Sequence, residues 1–253
     1  MFSRAIVRPP SASMIHGLTS AGLGAPDYPT ALRQHRQYVR ALEDCGLTVA
    51  VLPADENFPD ASFVEDTAVL TPRCAVITRP GAPSRRGETA AMETAVGRFY
   101  PALERIQAPG TLDGGDVMLV GRHAYIGLSG RTNREGAHQL IAILGRHGMT
   151  GSMVPLRDVL HLKTGVSYLG RNLLAASGEF LSEPQFRRFD LLPVADDERY
   201  AANCLWVNGR VLVPDGFPKT RAVIAAAGYP TVALAVSEFQ KLDGGLSCLS
   251  LRF

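Results

Sequence analysis

The sequence predicts an α/β protein built as a closed ring of five strand–strand–helix–strand units. Three observations predict it. Short apolar runs come in pairs joined by tight turns, and a helical segment and a further strand follow each pair. The pattern returns roughly every 40–50 residues, which marks a propeller or an array. A fifth unit forms only if the two ends of the chain meet. No linker, low-complexity segment or composition break divides the 253 residues, so a single domain over 1–253 is expected.

The fifth unit comes first along the chain. "GLSCLSL" and "RAIVR" pair, "TALRQHRQYVRALEDCG" is its helix and "TVAVLP" its last strand. The next unit has strands at "TAVL" and "CAVITR", a helix over "RRGETAAMETAVGRFY" with Met92, Val96 and Phe99 at helical spacing, and a strand near "ALERIQ". "DVMLVG" and "HAYIGLS" form a hairpin. The helix "TNREGAHQLIAILGRHG" follows, with Leu140, Ile143, Leu144 and His147 on one side, and then the strand "SMVPL". "LKTGVSYLG" and "NLLAAS" precede a helix over "SEPQFRRF" and the strand "DLLPVA". In the last unit "CLWVN" and "RVLVP" meet across Asn208-Gly209, a strong hairpin signal. "KTRAVIAAAG" is the helix there and "TVALAV" the strand. Helix starts are thus expected near 30, 86, 132, 182 and 219.

Composition narrows the function. The 26 basic and 24 acidic residues leave a net charge of +2, and no basic stripe of the kind that binds nucleic acid is visible. No apolar run is long enough to cross a membrane. Four cysteines without CxxC pairing, and no leader-like apolar core at the start, suggest reduced thiols and a cytoplasmic protein. Zinc-site, P-loop and dinucleotide signatures are absent. Neither a metal nor a cofactor is expected. The expected partner is a small molecule, with a homodimer allowed for.

Polar residues cluster at strand ends. "FPDASFVED" carries Asp60, Phe63, Glu65 and Asp66, and "TLDGGD" carries Asp113 and Asp116. Arg85 and Arg131 stand at matching helix starts of consecutive units, where cations are disfavoured. His161 lies in "DVLHLKTG", and "KLDGGLSC" holds Leu242, Asp243 and Cys248. Taken singly, these are turn residues, core groups or solvated charges. In a ring, equivalent positions face one mouth of the central channel, so they converge. Cys, His and a carboxylate make a nucleophile–base–orienter set. Further carboxylates suit a guanidinium, and two arginines suit a carboxylate. Together they describe an arginine-like substrate.

These stretches, with "GLTSAGLGAPDY", "ITRPGAPSRRGE", "IGLSGRTN" and "AANCLWVN", resemble the dimethylarginine dimethylaminohydrolases in their bacterial short form, along essentially the whole chain. The resemblance implies a five-bladed α/β-propeller, the pentein fold. It implies hydrolysis of Nω-methylated arginine to citrulline and an amine through a covalent Cys thiouronium, without a cofactor. It assigns Cys248 as nucleophile, His161 as general acid and base, and Asp113 as its partner. Asp60 and Asp66, with Glu65 and Phe63 nearby, would meet the guanidinium. Arg85 and Arg131 would meet the substrate carboxylate. Leu18, in a glycine-rich lid, and the backbone at Leu242 and Asp243 would complete the contacts. An arginine deiminase and a non-catalytic arginine- or protein-binding pentein are the alternatives.

Overall fold

The computed structural model describes residues 1–253. Five three-stranded sheets form the blades of a ring. In the first, β1 (Arg4–Val7) lies between β2 (Thr48–Val51) and β15 (Leu251–Arg252). The second contains β3 (Ala68–Leu70), β4 (Ala75–Ile77) and β5 (Leu103–Arg105). The third contains β6 (Val117–Val120), β7 (His123–Leu128) and β8 (Thr150–Pro155). The fourth contains β9 (Val166–Gly170), β10 (Leu173–Ala176) and β11 (Asp190–Pro193), and the fifth β12 (Leu205–Val207), β13 (Arg210–Pro214) and β14 (Thr231–Leu234).

In every blade the inner strand runs antiparallel to the middle one, and the outer strand parallel to it. Parallel neighbours cannot share a tight turn, so a crossover joins them. The crossovers of the first three blades are α1 (Tyr28–Asp44), α2 (Glu88–Val96) and α3 (Arg134–Arg146). The single turn α4 (Leu162–Gly165) leads into β9, α5 (Pro218–Ala226) crosses the fifth blade, and the single turn α6 (Ser237–Gln240) follows β14. Side-chain caps start the two longest helices. Asp27 accepts from the Thr30 amide, and Asn133 from the Gly136 amide. The Asn208-Gly209 hairpin forms as expected, with both residues at positive φ (50° and 93°).

Two elements differ from expectation. The fourth crossover has no α-helix: two 3₁₀ turns, Gly178–Leu181 and Pro184–Phe186, replace it. Gly178 takes φ 54°, and Pro184 cannot continue a helix begun before it, because its ring displaces the preceding turn and it has no N–H. The closing strand is also shorter than "GLSCLSL". Only Leu251–Arg252 pairs with β1, and Cys248 lies in a 3₁₀ turn, Ser247–Leu249, just before it.

Apolar residues fill the seams between blades, so both faces of each sheet are covered. Ile6, Val64, Ile77, Met92 and Leu251 meet between the first and second blades. The seam joining the fifth blade to the first holds the largest cluster, 19 buried residues that include Tyr38, Phe239, Leu246 and Leu249. That seam closes the ring. Each inner strand is entered from a turn or short helix, at 64–67, 114–116, 162–165, 196–202 and 247–249. The repeat therefore delivers five entry segments to one end of the channel, and these carry the polar residues.

Candidate active site

One narrow cleft at that end is lined by Asp60, Asp66, Asp113, His161, Arg131 and Cys248, with Leu18, Phe63, Arg85, Leu242 and Asp243 completing its wall. Of the expected site residues, only Glu65 lies outside it. Glu65 turns the other way, where its carboxylate meets Lys163 Nζ at 2.6 Å and Arg252 Nη2 at 3.2 Å. Adjacent residues on a 3₁₀ turn point in different directions, so Glu65 and Asp66 serve opposite sides of the ring floor.

His161 lies just ahead of α4 and bonds through Nε2 to Asp113 Oδ2 at 3.0 Å. Asp113 is fixed in turn, because its Oδ1 accepts from the Gly81 amide. Asp116, completely buried, ties three segments together. It accepts from the Ser129 and Thr132 hydroxyls and from the Leu162 amide, so the His161 loop is anchored next to the histidine. Asp116 stands in the sequence as one polar strand-end residue among several, without a role of its own; its Oδ1 bond to the amide of the residue after His161 supplies one. Gly115 is required by the crowding. A Cβ there would lie 2.8 Å from His161 Nδ1 and 2.9 Å from Asp66 Oδ1.

Burial works against a charged imidazole at His161, but Asp66, Asp113 and Asp116 outweigh it and push its pKa up to about 9. Asp66 accepts from Gly115 N and Arg85 Nη1. Despite its burial, His161 and Arg85 hold its carboxyl below the usual range. Burial raises Asp60, which Arg85 and the Leu18 amide only partly offset. The Cys248 thiol is pushed up to about 12 by burial and by the carboxylates of Glu65 and Asp66. Its sulfur accepts from the Gly245 amide at 3.4 Å. The surroundings thus favour the neutral thiol at Cys248 and the imidazolium at His161.

The two arginines, equivalent by repeat, differ in place. Arg85 is buried in the wall of the cleft. Its guanidinium donates to both Glu88 oxygens, to Asp66 and to the Phe63 and Asp60 carbonyls. Of its five N–H groups only one, on Nη1, is left uncommitted. Glu88, three residues on in the first turn of α2, draws it down. Arg131 makes no side-chain bond, and its guanidinium is free to meet a ligand.

A lid closes the cleft. Leu18 N donates to Asp60 Oδ1 at 3.0 Å, Thr19 Oγ1 to the Lys241 carbonyl at 2.7 Å, and Ser20 N and Oγ both to Asp243 Oδ2. Asp243 holds this position at φ 57°. The cleft volume is about 30 Å³, enough for a water or two and far less than an arginine side chain needs.

A family model described as "N,N dimethylarginine dimethylhydrolase, eukaryotic" matches residues 28–191. Over 254 aligned positions the chain is 56% identical to the N(G),N(G)-dimethylarginine dimethylaminohydrolase of Pseudomonas aeruginosa, covering 100% of both proteins. It is 40% identical to the protein of the same name from Streptomyces coelicolor, covering 98% of this chain and 96% of that one. A crystal structure of the Pseudomonas aeruginosa protein, a cysteine-to-serine variant complexed with citrulline, matches the fold with a TM-score of 0.99 at 56% identity over 100% of both chains. The sequence motifs, the five-bladed fold and these likenesses agree: the chain belongs to the dimethylarginine dimethylaminohydrolase family.

Proposed function

We propose that this protein hydrolyses Nω-methylated arginine to citrulline and methylamine or dimethylamine, with Cys248 as nucleophile. The observation that carries this reading is a cysteine sharing one closed cleft with an Asp113-bound His161 and with two further carboxylates, Asp60 and Asp66. With the lid open, the substrate guanidinium enters between Asp60 and Asp66, and Asp60 exchanges the Leu18 amide for it. The cation offsets the carboxylates that hold the thiol neutral, and Cys248 gives up its proton to solvent. The thiolate attacks the guanidinium carbon. His161, already protonated, donates to the departing amine, which leaves a thiouronium on Cys248. Neutral His161 then takes a proton from water. The resulting hydroxide adds to the thiouronium carbon, the C–S bond breaks, and the proton left on the product passes to the Cys248 thiolate through solvent, which gives citrulline and the resting thiol.

Arg131 holds the substrate carboxylate in this reading. Phe63 forms the apolar wall, and the backbone at Leu18, Leu242 and Asp243 borders the amino-acid end. Arg85 serves chiefly as the counter-ion of Asp66 and Glu88. No step calls for a metal or an organic cofactor. The test is citrulline release from asymmetric dimethylarginine and from arginine, measured in parallel with Cys248→Ser as control. Release from the methylated substrate that the variant abolishes, with folding unchanged, supports the proposal. A preference for unmethylated arginine would make the protein a deiminase, and turnover by Cys248→Ser would overturn the mechanism.

A further inference from the structure

The turn that carries Cys248 is held from behind by side chains that the reaction does not use. Tyr200 Oη donates to the Gly244 carbonyl at 2.8 Å, and Tyr38 Oη to the Leu246 carbonyl at 2.9 Å. Asn203 grips Ser247 twice, its Oδ1 accepting from the Ser247 amide at 3.0 Å and its Nδ2 donating to Ser247 Oγ at 3.2 Å. Ser247 Oγ donates in turn to Glu65 Oε2 at 2.8 Å. Arg252 Nη1 donates to the carbonyls of Ser247 and Ser250. Glu65, Asn203 and Ser247 are all buried. Glu65 faces a separate cavity of about 310 Å³, the channel lumen on the far side of the ring floor, together with Lys163, Ser247 and Arg252.

A buried carboxylate is costly unless it is paired and hydrogen-bonded. Glu65 satisfies that condition with three partners, two cationic and one hydroxyl, and none of them lies in the substrate cleft. The hydroxyl belongs to the residue immediately before Cys248. We infer that Glu65 and Asn203, acting through Ser247, are positioning residues that fix the nucleophile turn from the channel side, and that Glu65 does not contact substrate. The inference rests on Cys248 being the nucleophile. A turn shift of even 1 Å moves sulfur out of line with the guanidinium carbon, and misplacement on that scale costs on the order of 100-fold in rate.

The test uses the full-length protein and the variants Ser247→Ala, Ser247→Thr and Glu65→Gln. Steady-state kinetics with asymmetric dimethylarginine are paired with iodoacetamide alkylation of Cys248 across pH. Charged groups face this thiol from two sides. On the cleft side are Asp60, Asp66, Asp113 and Asp243 against His161, Arg85 and Arg131; on the channel side are Glu65 against Lys163 and Arg252; Tyr200, bonded to the Gly244 carbonyl, also adjoins the thiol.

Ser247→Ala lowers kcat by about 10–100-fold with KM within about 2-fold, and leaves the pH midpoint of alkylation in place. Ser247→Thr, which keeps the hydroxyl, recovers kcat. Glu65→Gln shifts the alkylation midpoint to lower pH, because one of two carboxylates opposing the thiolate is gone while Lys163 and Arg252 remain. Wild-type kcat in both Ser247→Ala and Glu65→Gln overturns the inference. So does a raised KM with kcat intact in Glu65→Gln, which would make Glu65 a substrate contact. If Ser247→Ala does not fold, Glu65→Gln alone decides. A wild-type protein that alkylates at Cys248 yet releases no citrulline refutes the proposed function instead, and the alkylation series still reports on the turn.

Discussion

Replacing Arg85 and Arg131 separately with methionine separates two roles that the sequence makes look alike. Methionine keeps much of the stem and removes the guanidinium. At Arg85 the loss strips buried Glu88 of its counter-ion and buried Asp66 of one of its two cations, and it takes from the Phe63 carbonyl one of its two donors. Breaking a buried ion pair from one side costs about 3–5 kcal/mol. In a chain of this size each kcal/mol moves Tm by roughly 2–4 °C, so Arg85→Met loses about 6–20 °C. At Arg131 no side-chain bond is lost, and Tm moves by about 2 °C or less. Its effect falls on binding. Loss of a charge-assisted contact with the substrate carboxylate, about 1.5–3 kcal/mol, raises KM by roughly 10–150-fold. Thermal unfolding followed by circular dichroism and steady-state kinetics with asymmetric dimethylarginine supply both readouts. An Arg85→Met protein that melts like wild type, or an Arg131→Met protein with unchanged KM, would refute the division of labour.

Two buried histidines bracket the pH range of stability. His161 titrates near 9 in the fold against 6.5 in the unfolded chain, so its ion pairs stabilise fully below pH 6.5 and are lost as pH rises through 9, about 3 kcal/mol in all. Burial holds His35 down to about 4, so the fold loses stability as pH falls from 6.5 toward 4, by about the same amount. Tm measured from pH 4 to 10 shows both limbs, and His35→Gln flattens only the acid one. In the proposed mechanism protonated His161 is the acid for the leaving amine, so kcat falls on the alkaline side, at a pH below about 9 because the bound guanidinium offsets the carboxylates that raise His161. Asp243→Gly keeps the positive φ and deletes the lid latch. Amides of residues 18–21 then exchange with deuterium at least about 10-fold faster while Tm stays within about 2 °C. Removing residues 248–253 abolishes folding as well as activity, since Leu249 and Leu251 leave two seams and β1 loses its partner; a native-like circular dichroism spectrum from that truncated chain would contradict the closure.

The blades were legible because each repeats a local signal: paired apolar runs, a turn and an amphipathic stretch. The Asn208-Gly209 hairpin is legible from two residues alone. Arg85 and Arg131 look equivalent because repeat position places the backbone, whereas Glu88 and Asp66 decide where a guanidinium comes to rest. Glu65 and Asp66 are neighbours with the same chemistry, and only the turn geometry sends them to opposite sides of the floor. The alternating run around Cys248 reads as strand, yet it folds as a turn. There Gly244 lies against the Phe63 ring, where a Cβ would come within 2.2 Å of a ring carbon. Close approaches of this kind join residues some 180 positions apart, beyond the reach of any local pattern.

Four of the five blades are contiguous along the chain and can form as soon as they are made. The first cannot. Its middle strand is near the beginning and its inner strand is Leu251–Arg252, with Ser3 N and Arg4 N both donating to the Phe253 carbonyl. Closing a loop of that length carries the largest entropic cost in the fold, so this step comes after the others. Cys248, the proposed nucleophile, lies in the turn just before the closing strand and is set in place with it. With the four contiguous blades in order, His161 and its carboxylates still lack Cys248 in place, so in the proposed mechanism chemistry begins only when the ring is whole.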